Sequence, residues 1–288
     1  MEHSDPDKQC GHLGIPRSLV DRPSNVGEVV SQALPQVQYL AVVQARMSST
    51  RFPGKVLALL EGKPMVLQQL VRVTLSEKIS KVVVATSIDS SDDQLALVLE
   101  SNGYDVIRGS LADVLDRYVQ AIDLYNPQNI VRITADCPLI SPKVIDQVIT
   151  AFEEADVDYL SNTMTPTFPD GLDVEVVKAT VLRRVGTLST DPAEREHVTL
   201  GVYRNPQDFS IGNFSNPQDY SKLRWTVDTP EDFAFVSSVY ADLYPENHAF
   251  EFEDILNYLE RNPELVRTEH HAKRNAALDG LDTGAMNA

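Results

Sequence analysis

From residue 39 the chain falls into a regular rhythm. Short apolar runs at residues 39–43, 81–85, 105–107 and 129–134 are rich in Val and Ile and bounded by polar turns, the pattern of strands buried on both faces. Between these runs the apolar positions recur at helical spacing. Residues 64–75 open on a proline suited to a first helical turn, and Ser90 or Ser91 is placed to cap a helix through Glu100. Ser110-Leu111-Ala112-Asp113 has capping-box spacing ahead of the stripe Leu111, Val114, Leu115, Tyr118, Val119, Ile122 and Tyr125. Ser141-Pro142 starts another helix, with Val144, Ile145, Val148, Ile149 and Phe152 inward. Strands alternating with amphipathic helices predict βαβ units: an α/β fold with a mostly parallel central sheet flanked by helices.

The alternation breaks after residue 155. Runs at 157–160 and 174–177 read as strands on either side of a Pro/Thr loop with the turn signal Pro169-Asp170-Gly171, a small substrate-side insertion. Further on, Asp191 to Glu194 has capping-box spacing, and residues 209–214 and 223–227 read as strands. Thr229-Pro230-Glu231-Asp232 caps a helix carrying Phe233, Val236, Tyr240 and Leu243. Residues 1–37 show no sustained period and are expected to be an irregular extension. Residues 38–264 then form the domain, and residues 265–288, where the pattern fades, a tail.

Composition narrows the class. The 288 residues are 42% hydrophobic and 23% charged, ordinary for a globular protein, with a formal net charge of −17. No apolar run approaches the ~18 residues of a membrane span, and the start lacks the basic-then-apolar order of a secretory signal, so a cytoplasmic location with no membrane partner is expected. The acidity argues against a nucleic-acid partner, which would need Lys and Arg spread over a face. Two cysteines, Cys10 and Cys137, cannot form a disulfide framework.

Against that acidic background the segment Q-A-R-M-S-S-T-R-F-P-G-K, residues 44–55, has three cations and no acid. Following a strand, its small residues and its Arg46, Arg51 and Lys55 read as a clamp for a nucleotide triphosphate, although it matches neither G-x-x-x-x-G-K-[ST] nor G-x-G-x-x-G. A basic surface turn is the alternative. Asp136 directly follows the run at 129–134, and Asp228 the run at 223–227. Carboxylates at two strand ends beside a triphosphate loop suit Mg²⁺ and phosphoryl or nucleotidyl transfer; either Asp alone reads first as a cap or turn residue, less so Asp228, since Thr229 is the better cap. Asn162, Asp170, Asp173 and Glu175, with Arg195-Glu196-His197, form a polar set suited to orienting a hydroxyl-rich acceptor. Ordinary structural roles remain open for each, and Cys137 reads as a small packing residue.

In order along the chain, Q-A-R-M-S-S-T-R-F-P-G-K-V-L, V-V-V-A-T-S, R-G-S-L-A-D-V-L-D-R-Y, V-R-I-T-A-D-C-P-L-I, D-Y-L-S-N, P-D-G-L-D-V-E-V, R-E-H-V-T and R-W-T-V-D-T-P-E-D resemble the spore-coat-polysaccharide branch of the acylneuraminate and Kdo cytidylyltransferases. The resemblance implies a nucleotide-binding fold of the glycosyltransferase-A type, Mg²⁺ dependence, and attack of a small anionic acceptor on the α-phosphorus of CTP with release of pyrophosphate. It also implies a homodimer. By position it assigns Ala45, Arg46, Arg51 and Lys55 to the triphosphate, with Arg46 and Lys55 catalytic, and Asp136 and Asp228 to the metal. Thr86, Ser87, Arg108, Gly109 and Asp113 match segments near base and ribose; Asn162, Asp173, Glu175, Arg195, Glu196 and His197 match the acceptor side. Ser48 and Ala135 stand where the pattern leads us to expect glycine. A sugar acid for a surface polysaccharide is the expected acceptor. The alternatives are a phosphonate or phosphorylated small molecule, a glycosyltransferase, and an inactive nucleotide-binding regulator.

Overall fold

A computed structural model describes residues 37–268. The expectations for the extension before residue 37 (Cys10 included) and for the tail beyond residue 268 lie outside the described residues. The strands are β1 (Tyr39–Gln44), β2 (Leu59–Leu60), β3 (Lys63–Pro64), β4 (Lys81–Ser87), β5 (Asp105–Gly109), β6 (Asn129–Thr134), β7 (Tyr159–Ser161), β8 (Glu175–Lys178) and β9 (Ile211–Asn213). The helices are α1 (Met65–Thr74), α2 (Asp93–Ser101), α3 (Val114–Tyr125), α4 (Pro142–Ala155), α5 (Ala179–Leu188), α6 (Pro192–Glu196), α7 (Leu200–Tyr203), α8 (Pro230–Leu243) and α9 (Phe252–Arg261).

Seven strands make one sheet in the order β5-β4-β1-β6-β8-β7-β9, and β2 and β3 form a separate hairpin. β5, β4, β1 and β6 are parallel; β8 runs antiparallel to both β6 and β7, and β9 parallel to β7. Along β1 the side chains alternate between two cores. Tyr39, Ala41 and Val43 pack with α1, α4, α8 and α9 on one face, whereas Leu40 and Val42 pack with α3 and α5 on the other. Both faces being covered explains why the parallel strands read as unbroken apolar runs. The chain leaves β1 for β4 and β5 on one side, then returns to place β6 on the other. That reversal puts a topological switch point between β1 and β6, and in open α/β sheets the crevice beyond the carboxyl ends there is where ligands bind.

Several local expectations shift. α1 begins at Met65 because Lys63–Pro64 pairs with Leu59–Leu60 across the Glu61-Gly62 turn, so Pro64 is in the hairpin. Neither Ser90 nor Ser91 is the cap: the Asp89 carboxylate accepts from the Ser91 N–H at 2.9 Å, and a 3₁₀ turn precedes α2. α3 begins three residues beyond Leu111, with Asp113 as its cap, accepting from the Asp116 N–H at 3.0 Å. Asp191 does cap α6, but Glu194 does not close a box with it and accepts from the Ser189 hydroxyl instead. The box at α8 forms as expected, on Thr229 with Asp232, and α4 starts as expected on Ser141, whose hydroxyl accepts from the Val144 N–H. Helix α9, with its own Glu251/Asp254 box, extends the domain beyond the helix after Asp228.

The largest departure is at residues 223–227, which form no strand. Successive backbone groups bond to different segments: Arg224 N–H to the Arg267 carbonyl, Trp225 N–H to Asp170, Val227 N–H to Asp136. A ladder needs one partner; this segment has three. The Pro169-Asp170-Gly171 turn lies directly on it. Gly171 has φ +113°, and a Cβ there would stand 2.6 Å from the Trp225 carbonyl carbon and 2.7 Å from the Thr226 nitrogen. Gly171→Ala should therefore cost roughly 3 kcal/mol or more in urea unfolding, since strain and a backbone clash add. Gly103→Ala, at φ +82° with nothing within 4 Å, should cost only about 1 kcal/mol. Equal losses would mean that the turn does not press on the 223–227 segment.

Candidate active site

Three parts of the chain converge beyond the carboxyl ends of β1 and β6. The loop after β1 folds back on itself, with the Gly54 N–H donating to the Met47 carbonyl, and delivers Lys55 into a short 3₁₀ turn. Asp136 follows β6. Asp228 is carried there by the irregular segment, whose Val227 N–H and Thr226 hydroxyl both donate to the Asp136 carbonyl oxygen, at 2.8 and 3.1 Å. A cavity of about 270 Å³ opens between them, lined among others by Arg46, Ser49, Arg51, Lys55, Asp136 and Asp228, with Ala45 in its wall.

The charges in this cavity are arranged unequally. Lys55 is buried, and its ammonium donates to the Val227 carbonyl oxygen at 2.6 Å and lies 3.1 Å from Asp228 Oδ1 and 3.5 Å from Asp136 Oδ2. Burial alone would lower the Lys55 pKa, but Asp136 and Asp228 outweigh it and raise it. For Asp136 burial pushes the carboxyl up, and Lys55, with hydrogen bonds from Thr134 and Cys137, brings it below its ordinary value. Both groups are charged at neutral pH. Arg51 reaches Asp228 Oδ2 at 3.1 Å from an exposed position. Arg46 is exposed, lines the cavity and is held by no hydrogen bond or ion pair among the described residues.

Behind Asp228 stands a side chain that the motif reading passed over. Arg224 is 2% exposed and contacts three carboxylates: Asp228 Oδ2 at 2.7 Å, Asp170 at 2.9 Å and Asp232 at 3.2 Å. Asp232 also accepts from the Asp228 and Thr229 N–H groups and from Arg267. This network fixes Asp228 at the start of α8 and ties the Pro169-Asp170-Gly171 turn to it. Its only signal in the sequence was an arginine among apolar neighbours, four residues before Asp228. A second unread residue is Asp92, fully buried, whose carboxylate accepts from the Met47 N–H at 2.7 Å and from the Ser87 N–H at 3.2 Å, pinning the cationic loop to the end of β4. Arg117 is a third. It is 1% exposed, packs across Gly109, and has no partner for Nε or Nη1.

The residues assigned to base and ribose stand at the neighbouring ends of β4 and β5. Thr86 is buried with its hydroxyl unpartnered, and Ser87 is buried with its hydroxyl on Asp92. Arg108 donates to the Ser87 carbonyl at 2.8 Å and pairs with Asp93 at 2.6 Å. The Nε and Nη2 edge of the Arg195 guanidinium donates to the Asp113 carboxylate, at 2.6 to 2.9 Å, while Arg195 Nη1 donates to the Gly186 carbonyl. The structure thus joins Asp113 and Arg195, which had been assigned to different substrates.

On the acceptor side, Asn162 is buried and clamps its own loop, donating to the Leu172 carbonyl and accepting from the Val174 N–H. Glu175 is buried on Arg132, across from it on β6, and accepts from Tyr159 at 2.8 Å and Thr199 at 2.5 Å. Their bonds are internal and hold the sheet and its insertion. Glu196 is exposed; His197 is half-buried. Burial, with Arg132, Arg204 and Arg46 nearby, lowers the His197 pKa against the pull of Glu196, so the ring is neutral at pH 7. Burial, with Asp136 and Asp173 nearby, drives the Cys137 thiol well up, so it packs and does not act as a nucleophile.

The chain matches the sequence profile of the cytidylyltransferase family over residues 40–265. It is 35% identical over 243 residues to the spore coat polysaccharide biosynthesis protein SpsF of Bacillus subtilis, covering 81% of this chain and 98% of that one. It is 33% identical over 147 residues to a 3-deoxy-manno-octulosonate cytidylyltransferase of Zea mays, covering 49% of this chain and 48% of the other. A solved cytidylyltransferase from Leptospira borgpetersenii superposes with a TM-score of 0.75 at 32% identity, covering 80% of this chain and 97% of that one. Replacing Arg224 by Met should destabilise the protein by about 3–5 kcal/mol in urea unfolding, because it strands buried carboxylates. A loss under about 1 kcal/mol would show that Asp228 is held in place by its backbone alone. The chain belongs to the cytidylyltransferase family.

Proposed function

We propose that this cytidylyltransferase transfers CMP from CTP to a small anionic acceptor, a sugar acid for a surface polysaccharide, and releases pyrophosphate. The observation that carries this reading is the meeting of Asp136, Asp228 and the three loop cations in one cavity at the β1/β6 switch point. The family supports the cytidylyl group. The sugar acid named for the Zea mays relative and the polysaccharide named for SpsF support the acceptor. In the reaction an acceptor oxygen attacks the α-phosphorus, the bond to the β-phosphate oxygen breaks, and pyrophosphate leaves with the electron pair.

The donor set suits a hard divalent cation: two carboxylates separated by one ammonium, with substrate phosphate needed to complete the shell, since no cluster of three or more acidic, His or Cys side chains fit for a metal occurs among the described residues. Asp136 and Asp228 would hold Mg²⁺, whose charge neutralises the reacting oxygens. The protein's own residues supply the rest. Arg46, uncommitted and exposed, offers two-pronged recognition of phosphate. Arg51 and Lys55 bring positive charge towards the leaving pyrophosphate, where donors fixed in advance lower the barrier most. The neutral His197 and the Asp173 and Glu196 carboxylates complete the acceptor side of this reading, with homodimeric assembly as its expected form.

Asp136→Asn and Asp228→Asn should each lower turnover by at least ~100-fold while the fold survives, since each removes a charge from the metal pair. Pyrophosphate release near the wild-type rate in either variant at saturating Mg²⁺ would remove that residue from the reaction.

Lys55→Ala should weaken CTP far more than CMP, by roughly ten- to a hundred-fold for loss of a charge-assisted hydrogen bond. Calorimetry with both nucleotides separates the cases, because equal losses would place Lys55 away from the β- and γ-phosphates. The function as a whole is tested by a panel of sugar acids and phosphorylated small molecules, each incubated with CTP and Mg²⁺. Pyrophosphate release with a sugar acid supports the reading, and release only with a phosphonate or phosphorylated compound would change the acceptor.

A further inference from the structure

The Lys55 ammonium stands where a divalent cation held by Asp136 and Asp228 would have to go. Its acceptors are all oxygens: the Val227 carbonyl at 2.6 Å, Asp228 Oδ1 at 3.1 Å and Asp136 Oδ2 at 3.5 Å. The other oxygens of the two carboxylates are otherwise engaged. Asp228 Oδ2 is held by Arg224 at 2.7 Å and Arg51 at 3.1 Å, and Asp136 Oδ1 accepts from the Cys137 thiol at 3.5 Å. The oxygens left for a metal are therefore the two that Lys55 already holds. An ammonium and a divalent ion cannot share that space, since their repulsion is strong in a half-buried site.

The loop cations also differ in commitment. Arg46 is exposed and unpaired among the described residues, whereas Lys55 is 8% exposed and held by three oxygens. A triphosphate would meet Arg46 first. Lysine sits on a flexible stem and can re-aim its charge without backbone movement.

We propose that Lys55 is the resident counter-cation of the Asp136–Asp228 pair, and that a divalent ion enters by exchanging with it as the triphosphate draws the ammonium away. Metal and nucleotide then bind as a coupled pair, and the nucleotide-free protein takes up metal weakly. The coupling is reciprocal by thermodynamic linkage: whatever factor the triphosphate adds to metal affinity, the metal adds to triphosphate affinity. This rests on the reading of Asp136 and Asp228 as the metal-binding residues.

The test is Mn²⁺ binding to the full chain without nucleotide, followed through the electron paramagnetic resonance signal of the free ion at about pH 8, where carboxylates are ionised. Lys55→Met removes the competing charge. Lys55→Gln removes it too and keeps a donor for the Val227 carbonyl, which guards against failure of the first variant to fold. Both should bind Mn²⁺ at least ~10-fold more tightly than wild type, within the 5- to 150-fold range typical of coupled sites. Adding Asp228→Asn to either should abolish the gain. If neither Lys55 variant binds Mn²⁺ more tightly than wild type, while Asp228→Asn still weakens Mn²⁺ in the CTP complex, the exchange is wrong and the metal assignment stands. If Mn²⁺ binds the Lys55 variants equally well with and without Asp228→Asn, the metal assignment itself fails, and the exchange with it.

Discussion

Two carboxylates held together at a half-buried sheet edge repel one another unless a cation lies between them, and the rest of this site is organised around meeting that condition. Lys55 lies between Asp136 and Asp228, and Arg224 stands behind Asp228. Their demands reach well into the fold. Arg224 requires Asp170 and Asp232 as further partners, Asp170 requires the turn that Gly171 permits, and that turn rests on the backbone of Trp225. The segment at residues 223–227 forgoes strand pairing because its backbone groups bond three different neighbours. An irregular segment beside two regular strand ends is thus the structural consequence of holding paired acids next to the cavity of about 270 Å³.

The same charge logic bears on ligand approach. A protein of net charge −17 repels an anionic nucleotide at long range, but screening limits that repulsion to about 8–10 Å at ordinary ionic strength. Inside that distance the local field is set by the cationic loop. Of the three loop cations, Arg46 is paired with no carboxylate among the described residues, whereas Arg51 and Lys55 both contact Asp228; under the proposed function Arg46 is therefore the cation free to meet phosphate first. Asp92 accepts from the Met47 N–H and from the Ser87 N–H, and so holds the start of the loop against the end of β4.

The parallel half of the fold was legible because burial on both faces writes itself into sequence as unbroken Val/Ile runs, and all four of those strands lie where the runs predict. The cationic loop, Asp136 and Asp228 were legible for a related reason: charged residues beside apolar runs stand out locally. Relations across long sequence distances were hidden. Nothing in residues 113 and 195 announces their bidentate pairing, and Glu175 carries the same letter whether it faces solvent or, as here, lies buried on Arg132, Tyr159 and Thr199. The 223–227 run misled because its composition suits a strand, whereas its conformation is fixed by hydrogen bonds to three distant segments. Arg224 and Arg117 were passed over because a buried arginine looks in sequence like any surface one.

The proposed function requires that these acids and cations direct attack at the α-phosphorus of a nucleoside triphosphate. Following the fate of labelled phosphate tests it most directly, using CTP labelled at either the α- or the γ-phosphorus with Mg²⁺ and a sugar acid. The α-label should appear in a nucleotide-linked sugar acid and the γ-label in pyrophosphate, in equal amounts. Recovery of the γ-label as inorganic phosphate or on the acceptor, with the α-label left in CDP, would contradict it.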